Sequence, residues 1–152
     1  RCRCKLVAAN ALVVVSNEYR FFVSGIPRPQ GSKSFVRGRV IEASKHVYQW
    51  RRDIASLAQE VITSPPLDNK TPVAISLKFC FARPKSHVTS KGELRSGFSP
   101  QHIQRPDVDK LSRAVLDALT GIAWQDDSQV ISLTATKVWG AASGVEIRLS
   151  PV

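Results

Sequence analysis

The stretch from residue 105 to 130, RPDVDKLSRAVLDALTGIAWQDDSQV, constrains this chain more than any other. Its apolar residues at 108, 111, 115, 118, 119 and 122 recur at helical spacing. Pro106 stands just before them and biases Arg105 toward extended backbone, while Gly121 suits a C-terminal stop. The pattern predicts a helix of about four turns, roughly 20 Å long at 1.5 Å per residue. Trp124 and the pair Asp126-Asp127 follow, and then a strand-like run from Gln129 to Val138. Five of the chain's twelve acids, Asp107, Asp109, Asp117, Asp126 and Asp127, fall in this one stretch.

The remainder of the chain has the opposite charge. Residues 1–106 carry 18 Lys/Arg against 6 Asp/Glu, whereas residues 107–152 carry 4 against 6, within a net charge of +10. Such an excess points to a polyanionic partner, nucleic acid before an acidic membrane, since no basic amphipathic helix stands out. A basic protein that gathers its carboxylates at one place is expected to hold a cation there. Mg²⁺ prefers hard oxygen ligands and commonly takes one or two carboxylates plus substrate phosphate. Such an ion can activate water and stabilise both oxygens of a phosphodiester displacement.

Each acid alone has a plainer reading. Asp107 or Asp109 can be a helix N-cap. Arg113 can form (i, i+4) pairs with Asp109 and Asp117, worth about 0.2–0.5 kcal/mol each on a solvated face. Asp126-Asp127 can be only a turn. The set, and no single member, points to a site. We expect the helix to pack antiparallel to the strand after it, so that the acidic turn swings back toward the Asp107/Asp109 end.

The pattern PDVDKL, then Arg113, LDAL, Gly121, Trp124 and DDSQV resembles the RusA-like family of Holliday junction resolvases. The resemblance implies a small Mg²⁺-dependent endodeoxyribonuclease of phages and prophages, with Mn²⁺ as a substitute ion. It implies that Asp107, Asp109 and Asp127 form the metal-binding catalytic cluster, with Asp126 and Asp117 as secondary acids. Arg113 stands where the family usually has a catalytic Lys, and Lys110 replaces an Asn. Arginine keeps the charge but not the compact ammonium, so phosphate clamping is preserved and proton handling is not. Lys137 matches a Lys that ends the family's strand and is a further candidate.

The rest of the chain sets the fold. At 152 residues it suits one domain with a proper core, and no apolar run approaches the ~18 residues of a membrane span. Residues 1–18, with Arg1, Arg3 and Lys5 before Leu6–Val15, imitate a signal peptide. Asn10 interrupts the apolar part and no cleavage site follows, so we read a leader-like segment ahead of a domain at 19–152, in a cytoplasmic protein. Cys2, Cys4 and Cys80 make neither a disulfide framework nor a zinc site, which fits a reducing compartment.

Residues 19–25 read as a strand, and 25–40 as a Pro/Gly-rich loop whose Arg28, Lys33, Arg37 and Arg39 can follow a phosphate backbone. Val47, Trp50, Ile54, Leu57 and Val61 mark a helix from Ser44 to about Ile62, with Trp50 in the core. Residues 72–82 alternate as a strand, with Cys80 on the far face, under a helix. Residues 83–106 lack periodicity and carry Lys85, Lys91, Arg95 and Arg105, which reads as a mobile flap that contacts DNA. Val145, Ile147 and Leu149 mark a terminal strand. The sum is an α+β domain, a mixed sheet of about four strands with two main helices.

The expected function is resolution of four-way DNA junctions by paired symmetric nicks. A two-fold homodimer follows from the symmetry of that substrate, and no small-molecule cofactor or membrane is needed. One rival is a basic DNA-binding protein without catalysis, and another is a different metal-dependent nuclease. A PD-(D/E)xK nuclease places its acids on separate strands, whereas here they overlap, and a D-x-D phosphotransferase places them after an apolar strand, which Gln104-Arg105-Pro106 is not.

Overall fold

A computed structural model of the chain describes residues 18–31, 34–36, 39–41 and 45–152. Four strands form one sheet in the order β1-β6-β4-β5: β1 Tyr19–Ser24, β4 Val73–Ala82, β5 Val130–Gly140 and β6 Gly144–Pro151. β6 pairs antiparallel with both β1 and β4, while β4 and β5 run parallel. Parallel neighbours need a crossover, and here it consists of residues 83–129, which include helix α2, Val108–Leu119. Helix α1, Lys45–Val61, precedes β4. A short hairpin, β2 Ser34–Val36 with β3 Arg39–Ile41, occupies part of the stretch expected to be a loop.

The expected α+β class with four sheet strands and two main helices is the one observed. Both helices lie against one face of the sheet. Period-two alternation sends Val73, Ile75, Leu77, Phe79 and Phe81 of β4 into the core with Val145, Ile147 and Leu149 of β6. They meet Val47, Trp50, Ile54 and Ala58 of α1 and Leu111, Ala114, Val115, Ala118 and Leu119 of α2. Each fully buried large side chain contributes about 1.5–3 kcal/mol of transfer free energy. The other face carries Ser76, Lys78 and Cys80 of β4. Cys80 is half-buried there, and no helix among the described residues covers it, contrary to the expectation that one would.

α2 ends where Gly121 adopts φ +81°, a left-handed conformation that glycine reaches without a Cβ penalty. Residues 83–106, expected to form a mobile flap, are tied to the rest of the domain at many points. Arg83 donates to the carbonyls of Ser99 and Pro100 at 3.1 and 2.7 Å and lies 5.0 Å over the Trp139 ring. His87 and His102 are buried beside Trp139, and Phe98 stacks on His87 with ring centroids 4.1 Å apart. Among the described residues no helix is long and apolar enough to cross a membrane.

Candidate functional site

The first acids lie at the start of α2. Asp107 has the extended backbone of an N-cap (φ −72°, ψ 141°), and its carbonyl accepts from Leu111 N–H at 3.1 Å. Its carboxylate makes no cap bond. It turns outward instead and meets Lys110 Nζ at 3.0 Å. Hydrogen bonding and charge from Lys110 hold the Asp107 carboxyl below its usual range, and Arg105 and Lys137 add to the effect. Asp109 is exposed in the first helical turn, where the helix dipole favours anions. Pro29, Arg105, Pro106, Asp107 and Lys110 line a cavity of about 270 Å³. Gln30 N–H donates to the Lys110 carbonyl at 2.9 Å, which ties the segment after β1 to this corner.

β5 braces the same corner. Lys137 Nζ donates to the carbonyls of Gln104 and Pro106 at 2.7 and 2.8 Å. The ammonium expected to face a phosphate thus holds backbone immediately before Asp107.

Asp127 lies at the other end of α2. Its Oδ1 accepts from Thr120 Oγ1 at 2.6 Å and from Trp124 Nε1 at 2.9 Å. Trp124 is wholly buried, and a buried indole N–H requires an acceptor. Asp126 caps a single 3-10 turn, accepting from Ser128 N–H at 2.8 Å, and hydrogen bonding from the Ser128 side chain, then from its backbone N–H, lowers the Asp126 pKa. Gln129 is buried: its Oε1 accepts from Gln125 and Asp126 N–H, and its Nε2 donates to the carbonyls of Asp68 and Thr71. A side-chain amide thereby fastens the acidic turn to the segment before β4.

α2 does run antiparallel to β5, as expected, but with the opposite consequence. The start of β5 lies beside the C-terminal end of the helix, so Asp127 is separated from Asp107 and Asp109 by the helix's length, about 18 Å for its 12 residues. Among the described residues of one chain, no three His, Cys, Asp or Glu side chains converge to hold a metal ion. Asp107 and Asp109 form an outward-facing acidic corner of the kind that suits an ion taking one or two carboxylates plus phosphate. A three-carboxylate pocket is not present among the described residues of a single chain.

The remaining candidates are spread around this frame. Arg113 is exposed and forms no ion pair among the described residues, so the expected pairs with Asp109 and Asp117 are not made. Asp117 faces α1 instead, with Arg51 at 3.9 Å. Lys85, Lys91, Arg95 and Arg105 are exposed, and Arg95 Nε also donates to the Val88 carbonyl at 3.0 Å. Arg28 is half-buried, Arg39 lies in β3, and Lys33 and Arg37 fall outside the described residues. Sequence reasoning missed the supports: Thr120, Trp124 and Gln129 around Asp127, and Arg83 and Trp139 under the loop. For Trp124 a signal exists, since an acid three positions after a tryptophan in an apolar run is a ready acceptor.

Comparison with known proteins adds two findings. The family model described as Endodeoxyribonuclease RusA matches residues 24–150. The chain is also 30% identical over 142 residues to the uncharacterized protein YqaN of Bacillus subtilis strain 168, covering 88% of this chain and 96% of that one.

Proposed function

The chain belongs to the RusA endodeoxyribonuclease family, and from that premise we propose that it resolves four-way DNA junctions as a Mg²⁺-dependent homodimer making paired, symmetric nicks. The observation that carries this reading is the corner at the start of α2. Two exposed acids stand there, one turned from its capping role toward solvent, within a rim of Arg105, Lys110, Arg113 and Lys137. A polyanion is drawn to such a rim, and only a cation reconciles the phosphate with the carboxylates.

Asp107 and Asp109 would hold the ion. In a two-fold dimer the third carboxylate would be the partner's Asp127, because acids at opposite ends of α2 meet when two copies lie antiparallel. When bound, such an ion supplies Lewis acidity toward the scissile phosphate and the attacking water. Arg113, which no acid among the described residues neutralises, clamps a phosphate oxygen. Arg28, Lys33, Arg37, Arg39, Lys85, Lys91 and Arg95 hold the arms by charge and shape, without reading bases. The setting is the cytoplasm of a bacterial or phage-infected cell.

A labelled four-way junction and a matched linear duplex, each with Mg²⁺ and with chelator, test the proposal. Ligatable nicks paired across the junction are expected, lost in chelator and lost in Asp109→Asn without loss of binding. Binding with no scission in any divalent ion would instead make the protein a non-catalytic DNA binder.

A further inference from the structure

Helices α1 and α2 leave a groove between them at the surface. Tyr48, Arg51, Arg52 and Ala55 of α1 and Asp117 and Ala118 of α2 line it, and its volume is about 430 Å³, within the ~300–1,000 Å³ usual for a small-molecule site. The four α1 residues recur at i, i+3, i+4 and i+7 and so share one face of that helix. Ala55 and Ala118 contribute no more than methyl groups to the lining, which leaves room for a flat ring.

The polar lining is specific in kind. Tyr48 is 60% exposed, and the Arg52 guanidinium carbon lies 5.9 Å from the centroid of its ring, a cation–π distance. Arg51 reaches Asp117 at 3.9 Å. A contact so long between part-exposed groups adds little stability, but it keeps a second guanidinium beside the groove. An aromatic ring with two guanidiniums suits a nucleotide, the ring stacking on its base and the cations meeting its phosphate. The groove also lies on the path from the acidic corner. Asp109, Arg113 and Asp117 succeed one another at i+4 along α2, so Asp117 stands about 12 Å beyond Asp109, with exposed Arg113 between them.

We propose that this groove holds one unstacked nucleotide of the DNA strand that passes the Asp107/Asp109 corner, its base on Tyr48 and its phosphate on Arg52 and Arg51. Every base has a π-face, so the groove senses that a nucleotide is unpaired and not which base it carries. A base must leave its stack to enter, and the cost of leaving is lowest where pairing is already interrupted. The groove therefore favours branched DNA over a linear duplex. This deepens the proposed function by naming the substrate feature that is selected, and it rests on that reading for the path of the strand.

Fluorescence anisotropy of a short labelled oligothymidylate with the full chain, in chelator so that no cutting intrudes, tests the groove. Tyr48→Ala is expected to weaken binding by about 5–150-fold with an unchanged circular dichroism spectrum, and Tyr48→Phe, which keeps the ring, to retain it. Arg52→Gln is expected to lower the salt slope by about 0.7. Ala55→Leu, which fills the groove and leaves every charge in place, is expected to act like Tyr48→Ala. The same oligonucleotide carrying one 5-iododeoxyuridine is expected to photocrosslink to the peptide that contains Tyr48. Oligothymidylate binding unchanged in Tyr48→Ala, or crosslinks confined to other peptides, overturns the site. Free thymidine monophosphate probes the other source of a nucleotide: if it abolishes the crosslink while Tyr48→Ala leaves junction affinity intact, occupation by a DNA strand is overturned. Binding that depends on Tyr48 in a protein that cuts no junction supports the groove and removes the nuclease reading. Junction cleavage by a protein whose oligothymidylate binding is indifferent to Tyr48 does the reverse.

Discussion

Lys137 Nζ lies 2.8 Å from the carbonyl oxygen of Pro106, the residue that delivers the chain to Asp107. With a second bond to Gln104 at 2.7 Å, two of its three N–H donors are committed to backbone. An edge strand thus fixes the loop that carries the first acid. A lysine so placed positions a carboxylate and has little freedom to follow a phosphate.

Lys137→Met is therefore expected to slow junction cleavage by about 10–100-fold, the usual cost of removing a support behind a ligand. Binding to the junction in chelator is expected to stay near wild type, with its salt dependence unchanged. A phosphate-contacting lysine behaves otherwise, lowering affinity and reducing the salt slope by about one. Measuring affinity against salt for both proteins separates the two roles.

At the other end of α2, the Trp124 indole and the Thr120 hydroxyl both donate to one oxygen of Asp127, Oδ1. Trp124→Phe keeps most of the buried volume and removes only the N–H. Cleavage is expected to fall about 10-fold or more, with a small loss of thermal stability. Thr120→Ser, which keeps the hydroxyl, is expected to match wild type, and Thr120→Val to resemble Trp124→Phe. A Trp124→Phe enzyme of full activity would show that the indole bond serves folding alone.

His102 gives the loop over β5 a pH dependence. Burial between Phe81 and Trp139 lowers its pKa, and the positive charges of Lys137 and Arg83 lower it further. A group whose folded pKa lies below its unfolded value near 6.5 favours the native state above that pH. Its contribution is lost as pH falls from there through the folded pKa. Relative to the intrinsic exchange rate at each pH, protection of the amides across residues 98–106 is expected to weaken below pH ~6.5, and His102→Phe is expected to remove that weakening. Protection factors indifferent to pH in the wild type would exclude the effect.

How much of this was legible in the sequence varied with the range of the interaction involved. α2, β4 and β6 follow from apolar periodicity, because each buries one face and the period of 3.6 or 2 records it. Gly121 marks the helix's end for the same local reason. The loop from 83 to 106 has no period because it is held through rings and carbonyls by Trp139, distant in the chain, and by Phe81, which meets the loop only at His102. The β2–β3 hairpin is three residues to a strand, too short for alternation to register among glycines and prolines. The acids were found as residue types, but their separation was not. A helix antiparallel to its following strand returns the chain to the helix's start only at the strand's far end, so the turn that opens the strand stays behind with Asp127.

That separation leads to a complementation test. Asp107→Asn and Asp127→Asn are each expected to lower cleavage by at least ~100-fold, more than loss of a supporting residue costs. If each site draws Asp107 and Asp109 from one subunit and Asp127 from the other, a mixed dimer of the two variants contains one site with both substitutions and one with neither. Mixing the inactive proteins under conditions that exchange subunits should restore nicking, confined to one strand of the junction because only one site is whole. Were all three acids to act within one chain, every site in the mixture would carry a substitution and no activity would return. Recovery of single nicks, scored against wild type diluted into doubly substituted protein, therefore decides whether the carboxylates that one chain holds apart are brought together by two.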